Sequence, residues 1–251
     1  MKIKCRIIGF DLDGTLLNSE KHIAEHTREV LTRAVEQGIW ILPVTGRPLG
    51  GLPKEVVEFP GVQYAITANG ARIMETQTGG CLYERLVPVK TAEQIMEIFS
   101  DYDALREVYY GGKGYAEAEE FSRVGEYMRS PQMAVYVRAT RTPVPDILQL
   151  IREKGQDTDK VQGVFKIDEE RTEARKRLEA VEGIEVTGAL SNNIEVNAAG
   201  VDKGNAILWF ADHLGIPHEE VAGFGDGNND IQLLKKAGIG VAMANATDQV
   251  K

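Results

Sequence analysis

Four short stretches of this sequence hold the residue types that metal-assisted phosphoryl transfer needs. The first is Asp11-Leu12-Asp13-Gly14-Thr15. Two carboxylates two residues apart, at the end of an apolar run, repel each other unless a cation lies between them. A loop of helix-capping acids explains one of them well and two plus Gly-Thr poorly. The pattern suits a hard-cation site with a carboxylate nucleophile. The second stretch is Thr45-Gly46-Arg47. A hydroxyl followed by glycine lets side chain and backbone N–H approach an anion together, although a plain turn is the commoner meaning. The third is Lys203, at the predicted start of a helix in VDKGNAILWFADHLG. A cation there opposes the helix dipole and makes sense if an anion lies between, but most lysines so placed are simply exposed. The fourth is Gly225-Asp226-Gly227-Asn228-Asn229-Asp230, after VAGF. Its glycines miss the G-x-G-x-x-G spacing, and the loop is acidic where a pyrophosphate would lie, so a dinucleotide fingerprint is rejected. Together the four hold the inventory of metal-assisted phosphoryl transfer: cation site, nucleophile, anion clamp.

The elements that must position these residues follow from periodicity. IKCRIIGF (3–10) reads as a buried strand, short and β-branched. Residues 24–37 carry apolar positions at helical spacing, and Gly38 is placed to end them. Ile39 to Val44 and Tyr64 to Thr67 read as further buried strands. Near-continuous apolar strands alternating with helices indicate a parallel sheet covered on both faces. After about residue 84 the pattern changes. Helical stretches at 91–101, 119–128, 144–155 and 169–181 alternate with half-exposed strands such as AVYVRA (134–139). The first pattern returns near 193: strand NIEVN, helix 203–214, strand 221–224, helix 228–237, strand 239–243. The expected fold class is therefore α/β: a Rossmann-like parallel-sheet core with helices on both faces (1–84 and 189–251), interrupted by an inserted α+β domain (85–188). Ligands bind outside the carboxyl ends of strands in such sheets, and all four stretches fall there or at a helix start.

Composition narrows the partners. The chain has 251 residues, 43% hydrophobic and 27% charged, which is ordinary for a soluble globular protein. Its formal net charge of -9 argues against nucleic-acid or anionic-membrane partners. An anionic substrate then needs a local positive centre such as a bound metal. Cys5 and Cys81 form no metal motif or disulfide framework, and no run reaches signal-peptide or transmembrane length, so a reducing, cytoplasmic setting is expected. In that setting the Asn-Ala-Thr sequon at Asn245 carries no weight. The basic segment 171–177 reads as a solvated helix face. His22 and His26 lack the H-E-x-x-H pattern and read as a wet surface pair. Trp209-Phe210, and most of Tyr109, Tyr110, Tyr115, Phe121 and Tyr127, read as core.

DLDGT, TGR, the isolated Lys203 and GDGNND, in this order, resemble the four motifs of the haloacid dehalogenase-like superfamily. The insert between the second and third resembles that of its Cof-type phosphatases, as do Asn69-Gly70-Ala71 and Asn197-Ala198-Ala199-Gly200-Val201. The resemblance spans essentially the whole chain and is loosest in the insert. It implies a Mg2+-dependent phosphatase acting on a small phosphorylated metabolite such as a sugar phosphate, as a monomer or homodimer. It implies that Asp11 attacks phosphorus and binds Mg2+. Asp13 would serve as acid and base, its backbone carbonyl contacting the metal. Leu12 (through its backbone), Thr45, Gly46, Lys203 and Asn229 would hold the phosphate. Lys203 would also pair with Asp11, Asp226 would ligate Mg2+, and Asp230 would orient the metal site from behind. The insert would be a cap that closes over the site, with hinges near 84 and 189. Members of the group usually continue with another strand and a final helix where this sequence reads Asp248-Gln249-Val250-Lys251, so either the chain continues or its tail differs from theirs.

Other readings use the same residues. A phosphosugar mutase shares the nucleophile but returns the phosphoryl group to a substrate. A catalytically idle binding protein needs no nucleophile, which the intact Asp11, Asp13, Lys203 and Asp226 disfavour. A dehalogenase needs neither Asp13 nor a metal.

Overall fold

The structure is a computed structural model that describes residues 4–188 and 191–251. The chain begins with β1 (Ile7–Phe10), α1 (Glu25–Glu36), β2 (Trp40–Pro43), the single turn α2 (Lys54–Val57), β3 (Tyr64–Thr67), β4 (Arg72–Glu75) and β5 (Cys81–Glu84). Gly38, at φ +77°, takes the left-handed turn that ends α1. Then come α3 (Val89–Ser100), β6 (Ala104–Tyr110), β7 (Lys113–Glu117), α4 (Ala118–Ser122), α5 (Val124–Tyr127), α6 (Pro131–Thr140), β8 (Arg141–Val144), α7 (Ile147–Lys154), β9 (Lys160–Phe165), α8 (Asp168–Leu178), β10 (Ile184–Thr187) and β11 (Asn193–Ala198). The chain closes with α9 (Lys203–His213), β12 (Val221–Gly225), α10 (Ile231–Lys236) and β13 (Ile239–Ala242).

The fold divides into two compact units, Met1–Glu84 with Val201–Lys251, and Arg85–Gly200. In the first, a parallel sheet runs in the order β13-β12-β1-β2. A single parallel bridge, Val44 to Ile66, links its edge to the antiparallel β3-β4-β5 sheet. Side-chain alternation sends the two faces of β1 and β2 into separate cores. Ile7 and Leu42 pack with Ile207, Phe210 and Leu233 of α9 and α10. Phe10 and Ile41 pack with Leu31 and Ala34 of α1 and Val56 of α2. Both faces are therefore covered, as the apolar strands require.

Glycine sets how closely the helices approach. A Cβ on Gly9 would lie 2.2 Å from Ile207 Cδ1, so α9 lies close against β1 there. A Cβ on Gly204 would lie 2.3 Å from the Gln232 carbonyl oxygen, at the contact of α9 with α10. Because that neighbour is backbone, Gly204→Ala must push the helices apart. It is expected to cost roughly 1–3 kcal/mol of stability, read as a lowered urea midpoint.

The second unit is built on a six-stranded sheet in the order β10-β11-β9-β6-β7-β8, antiparallel except for β7 with β8. Here the structure corrects two readings. NIEVN was expected to return the chain to the core. It forms β11 instead, paired to β9 and β10, so the core unit resumes at Val201. Its apolar-polar alternation suits a strand in either sheet, and pairing partners are set by contacts distant in sequence. The expected boundary at 189 falls on residues 189–190, outside the described residues, as does the start of the strand expected over 3–10. AVYVRA, expected as a strand, lies in α6. Ser130 accepts from the Met133 N–H and Pro131 occupies the first turn, so a local cap outweighs the β-branched pattern.

Smaller differences are local. The helix expected over 119–128 breaks at Arg123 into α4 and α5. The one expected over 144–155 begins at Ile147, capped by Asp146, and ends at Gly155 at φ +56°. Tyr109 and Tyr127 are buried, His22 and His26 are exposed, and the basic segment of α8 is largely solvated. No helix among the described residues is long and apolar enough to cross a membrane.

Candidate active site

The site forms where β1 and β12 end side by side. Parallel pairing aligns Phe10 with Phe224, and the Asp11 N–H donates to the Phe224 carbonyl at 3.0 Å. This register brings the loop carrying Asp11 beside the loop carrying Asp226. From β1 the chain runs outward to β2 on one side, and it returns to β12 on the other. A sheet opens a crevice at such a switch point. Leu12 turns its side chain into the core, fully buried, which leaves its backbone for the loop.

Lys203, the first residue of α9, is fully buried. Its Nζ donates to Asp11 Oδ1 at 2.6 Å and to Asp230 Oδ1 at 2.6 Å. The anions that make this lysine tolerable at a helix start are these two carboxylates. Asp230 Oδ2 accepts from the backbone N–H groups of Asp226 at 3.0 Å and Gly227 at 2.8 Å. Asp230 thus ties the loop to the lysine. Carboxylate oxygens of Asp11, Asp226 and Asp230 lie within 4.8 Å of one another.

The electrostatics follow from this crowding. Burial raises the Asp11 pKa, Lys203 pulls it down, and Asp230 and Asp13 push it up, leaving it at about 6. Burial works against the charged form of Lys203, but Asp11 and Asp230 outweigh it and hold the ammonium above its ordinary value. Asp226 is raised, first by burial and then against a hydrogen bond from Thr15. Three carboxylates around one ammonium leave negative charge for a further cation to offset.

Asp13 is placed differently. Its carboxylate takes a two-pronged bond from Arg47, Nε to Oδ2 at 2.8 Å and Nη2 to Oδ1 at 2.7 Å. Lys21 Nζ adds a third contact at 2.8 Å. Burial favours the neutral acid, but Arg47 and then Lys21 outweigh it, so Asp13 sits below the usual carboxylate range. Arg47 belongs to the TGR stretch, so the second motif reaches the first through its arginine. Buried Thr45 accepts the Arg47 N–H at 3.2 Å, and its carbonyl accepts from Asn69 at 3.0 Å. Gly46 lies between them, half-buried.

Asn229 Nδ2 donates to Asn69 Oδ1 at 3.2 Å. Asn69 follows Ala68 in a left-handed run at φ +49° and +60°, and Gly70 continues it at φ +105°. Non-glycine residues rarely hold such values, and they concentrate where backbone is bent for function. Lys21 and Asn69 were thus not assigned a place here from the sequence, nor was Asn245, whose Nδ2 donates to Asp226 Oδ2 at 3.1 Å. Asn69-Gly70 is a turn signal that marks the bend but not its neighbour. Asn245 carried only its sequon.

A sequence model of the haloacid dehalogenase-like hydrolases matches residues 8–251. The 5-amino-6-(5-phospho-D-ribitylamino)uracil phosphatase YcsE of Bacillus subtilis (strain 168) is 29% identical over 252 residues, covering 99% of this chain and 88% of the relative. Pyridoxal phosphate phosphatase YbhA of Escherichia coli (strain K12) is 27% identical over 249 residues, covering 98% and 90%. The solved structure of a haloacid dehalogenase-like hydrolase from B. subtilis superimposes with a TM-score of 0.86 at 27% identity, covering 98% of this chain and 91% of that one. By kinship this chain is an enzyme, a phosphoric monoester hydrolase. It belongs to the haloacid dehalogenase-like hydrolases, of the Cof type.

Proposed function

We propose that the chain is a Mg2+-dependent phosphatase that hydrolyses small phosphomonoesters through an aspartyl-phosphate on Asp11. The observation that carries this reading is the buried Lys203 Nζ, 2.6 Å from Asp11, beside the acidic loop of Asp226 and Asp230. A carboxylate attacks a phosphate poorly because both are negative, and a preorganised cation removes that repulsion. Asp11 attacks phosphorus and the ester P–O bond breaks. Asp13 protonates the departing oxygen, then takes a proton from the water that releases phosphate. Thr45, the Gly46 N–H, the Leu12 backbone and Asn229 hold the phosphoryl oxygens. Lys203 neutralises charge on both Asp11 and the phosphate.

The donor set fits a hard divalent cation: carboxylate oxygens of Asp11, Asp226 and Asp230 cluster within 4.8 Å. Asp11 and Asp226, with the Asp13 backbone carbonyl, would hold it, while Asp230 is already committed to Lys203 and two N–H groups. When bound, Mg2+ supplies positive charge that draws the two anions together. Arg47 and Lys21 hold Asp13 in the ionised form, ready to act as a base. To act as an acid it must exchange them for a proton, and a phosphate dianion beside Arg47 competes for that guanidinium.

On this reading the second unit is the cap, and it selects the leaving group. The relatives' substrates, a phosphorylated ribitylaminouracil and pyridoxal phosphate, support a metabolite as substrate, and a cytoplasmic setting belongs to the same proposal. The test is release of inorganic phosphate from a panel of sugar, ribityl and pyridoxal phosphates, with Mg2+ and with EDTA. Metal-dependent release is expected, with EDTA lowering it to background. No release from any ester by folded, Mg2+-loaded protein sinks the reading and turns attention to phosphosugar isomerisation.

A further inference from the structure

The loop after β13 returns to the acidic site. There Asn245 Nδ2 donates to Asp226 Oδ2 at 3.1 Å and to the Gly14 carbonyl at 3.0 Å. The Thr15 hydroxyl donates to the opposite oxygen of the same carboxylate, Oδ1, at 2.8 Å. The two donors sit on different loops and take different oxygens. Rotation of the Asp226 carboxylate would therefore break both bonds. Space is tight as well: a Cβ on Gly14, at φ +93°, would lie 2.3 Å from Asp226 Oδ2. Backbone and carboxylate meet directly, and Asn245 bridges the meeting.

The residue type fits this task. An amide N–H orients a carboxylate without adding charge. A lysine there would neutralise Asp226 and compete with a cation, and an acid would repel it. Asn245 is exposed, so its contribution comes through these two bonds more than through packing.

We propose that Asn245 is a positioning residue that holds the Asp226 carboxylate in its cation-receiving orientation and so sets affinity for the divalent ion. The inference rests on the reading of Asp11 and Asp226 as that ion's ligands. Hydrogen-bond partners of ligating side chains typically change metal affinity by about 10- to 100-fold when removed.

The experiment is calorimetric titration of the metal-free protein with Mg2+, for wild type, Asn245→Ala, Asn245→Gln and Asp226→Asn, with a melting curve of each. Asn245→Ala is expected to weaken Mg2+ binding roughly 10- to 100-fold. Asn245→Gln, which keeps the amide, should regain part of the loss. Metal-free melting of Asn245→Ala should stay within about 2 °C of wild type, as for an exposed substitution. If Asn245→Ala binds Mg2+ like wild type while Asp226→Asn does not, the proposal is overturned and the cation reading stands. If wild type takes up no Mg2+, or Asp226→Asn binds as wild type does, both are overturned. A large fall in metal-free melting, or no recovery with Gln, overturns it in favour of a structural role.

Discussion

Asp11→Asn is expected to lower phosphate release by more than about 10⁴-fold, with the panel substrates still binding. On the proposed mechanism the amide keeps the shape of the side chain but has no carboxylate oxygen to form the acyl phosphate, and loss of a nucleophile is among the largest single effects known in catalysis. The same substitution should stabilise the metal-free protein. Burial and two neighbouring carboxylates raise Asp11 to about 6, above its ordinary 3.8. A group whose folded pKa is raised contributes stability that is fully present below its unfolded pKa and is lost as pH rises through the folded value. As pH rises from about 4 through about 6, metal-free wild type therefore loses stability that the Asp11→Asn variant keeps. At pH 7.5 without metal, Asp11→Asn should melt a few degrees higher, a gain of roughly 1–3 kcal/mol, and the gain should vanish near pH 4. Phosphate release by folded Asp11→Asn at more than about a hundredth of the wild-type rate would count against Asp11 as nucleophile. Equal melting of both proteins at pH 7.5 would count against its strained ionisation.

Lys203→Met is the second large effect. The ammonium is fully buried and bonded to Asp11 and Asp230 at 2.6 Å each. Its removal leaves two carboxylates facing each other out of water, and breaking a buried pair this way costs about 3–5 kcal/mol. Urea unfolding at pH 7.5 should show that loss, and lowering the pH should return part of it. Without the lysine, which pulls the Asp11 pKa down, Asp11 moves further above its ordinary range, so the variant regains stability as pH falls and Asp11 protonates. On the proposed mechanism turnover should fall by at least about 10³-fold, because the charge assigned to let one anion attack another is gone. Added Mg2+ should stabilise the variant at neutral pH, since it offsets the same charges. A urea midpoint equal to wild type at pH 7.5 would mean that the Lys203 pairs add nothing to the fold.

Much of the first unit was legible in the chain because local signals agreed there. β3 runs over Tyr64–Thr67 as expected, and α1, β2, α9, β12 and β13 lie within a residue or two of their expected bounds. Each is a short apolar run or a one-faced helix, and such signals act within a few residues. The inserted unit was less legible for the same reason. Val135 and Val137 alternate like a strand, but Ser130 and Pro131 start a helix that includes them, with Val135 exposed and Val137 buried. The β4 and β5 hairpin went unrecognised, since its partner β3 supplies the pairing.

Residue types and their order alone determined the inventory: a carboxylate pair after one buried strand, an acidic glycine loop after another, a lysine opening a helix between them in sequence. They also determined that these must lie at the carboxyl ends of a covered parallel sheet, because apolar strands without alternation leave no solvent face. The tertiary structure decided who meets whom. It paired β1 with β12 so that Asp11 and Asp226 stand together, and it buried Lys203 between Asp11 and Asp230. It gave Asp13 to Arg47 and Lys21, and it assigned β11 to the second unit. Asn245, last of the site's side chains along the sequence, met Asp226 only through the turn after β13. Hydrogen-bond partners 19 to 231 positions apart are set by sheet register and helix packing. Those depend on the summed burial of many side chains, so no short motif can specify them.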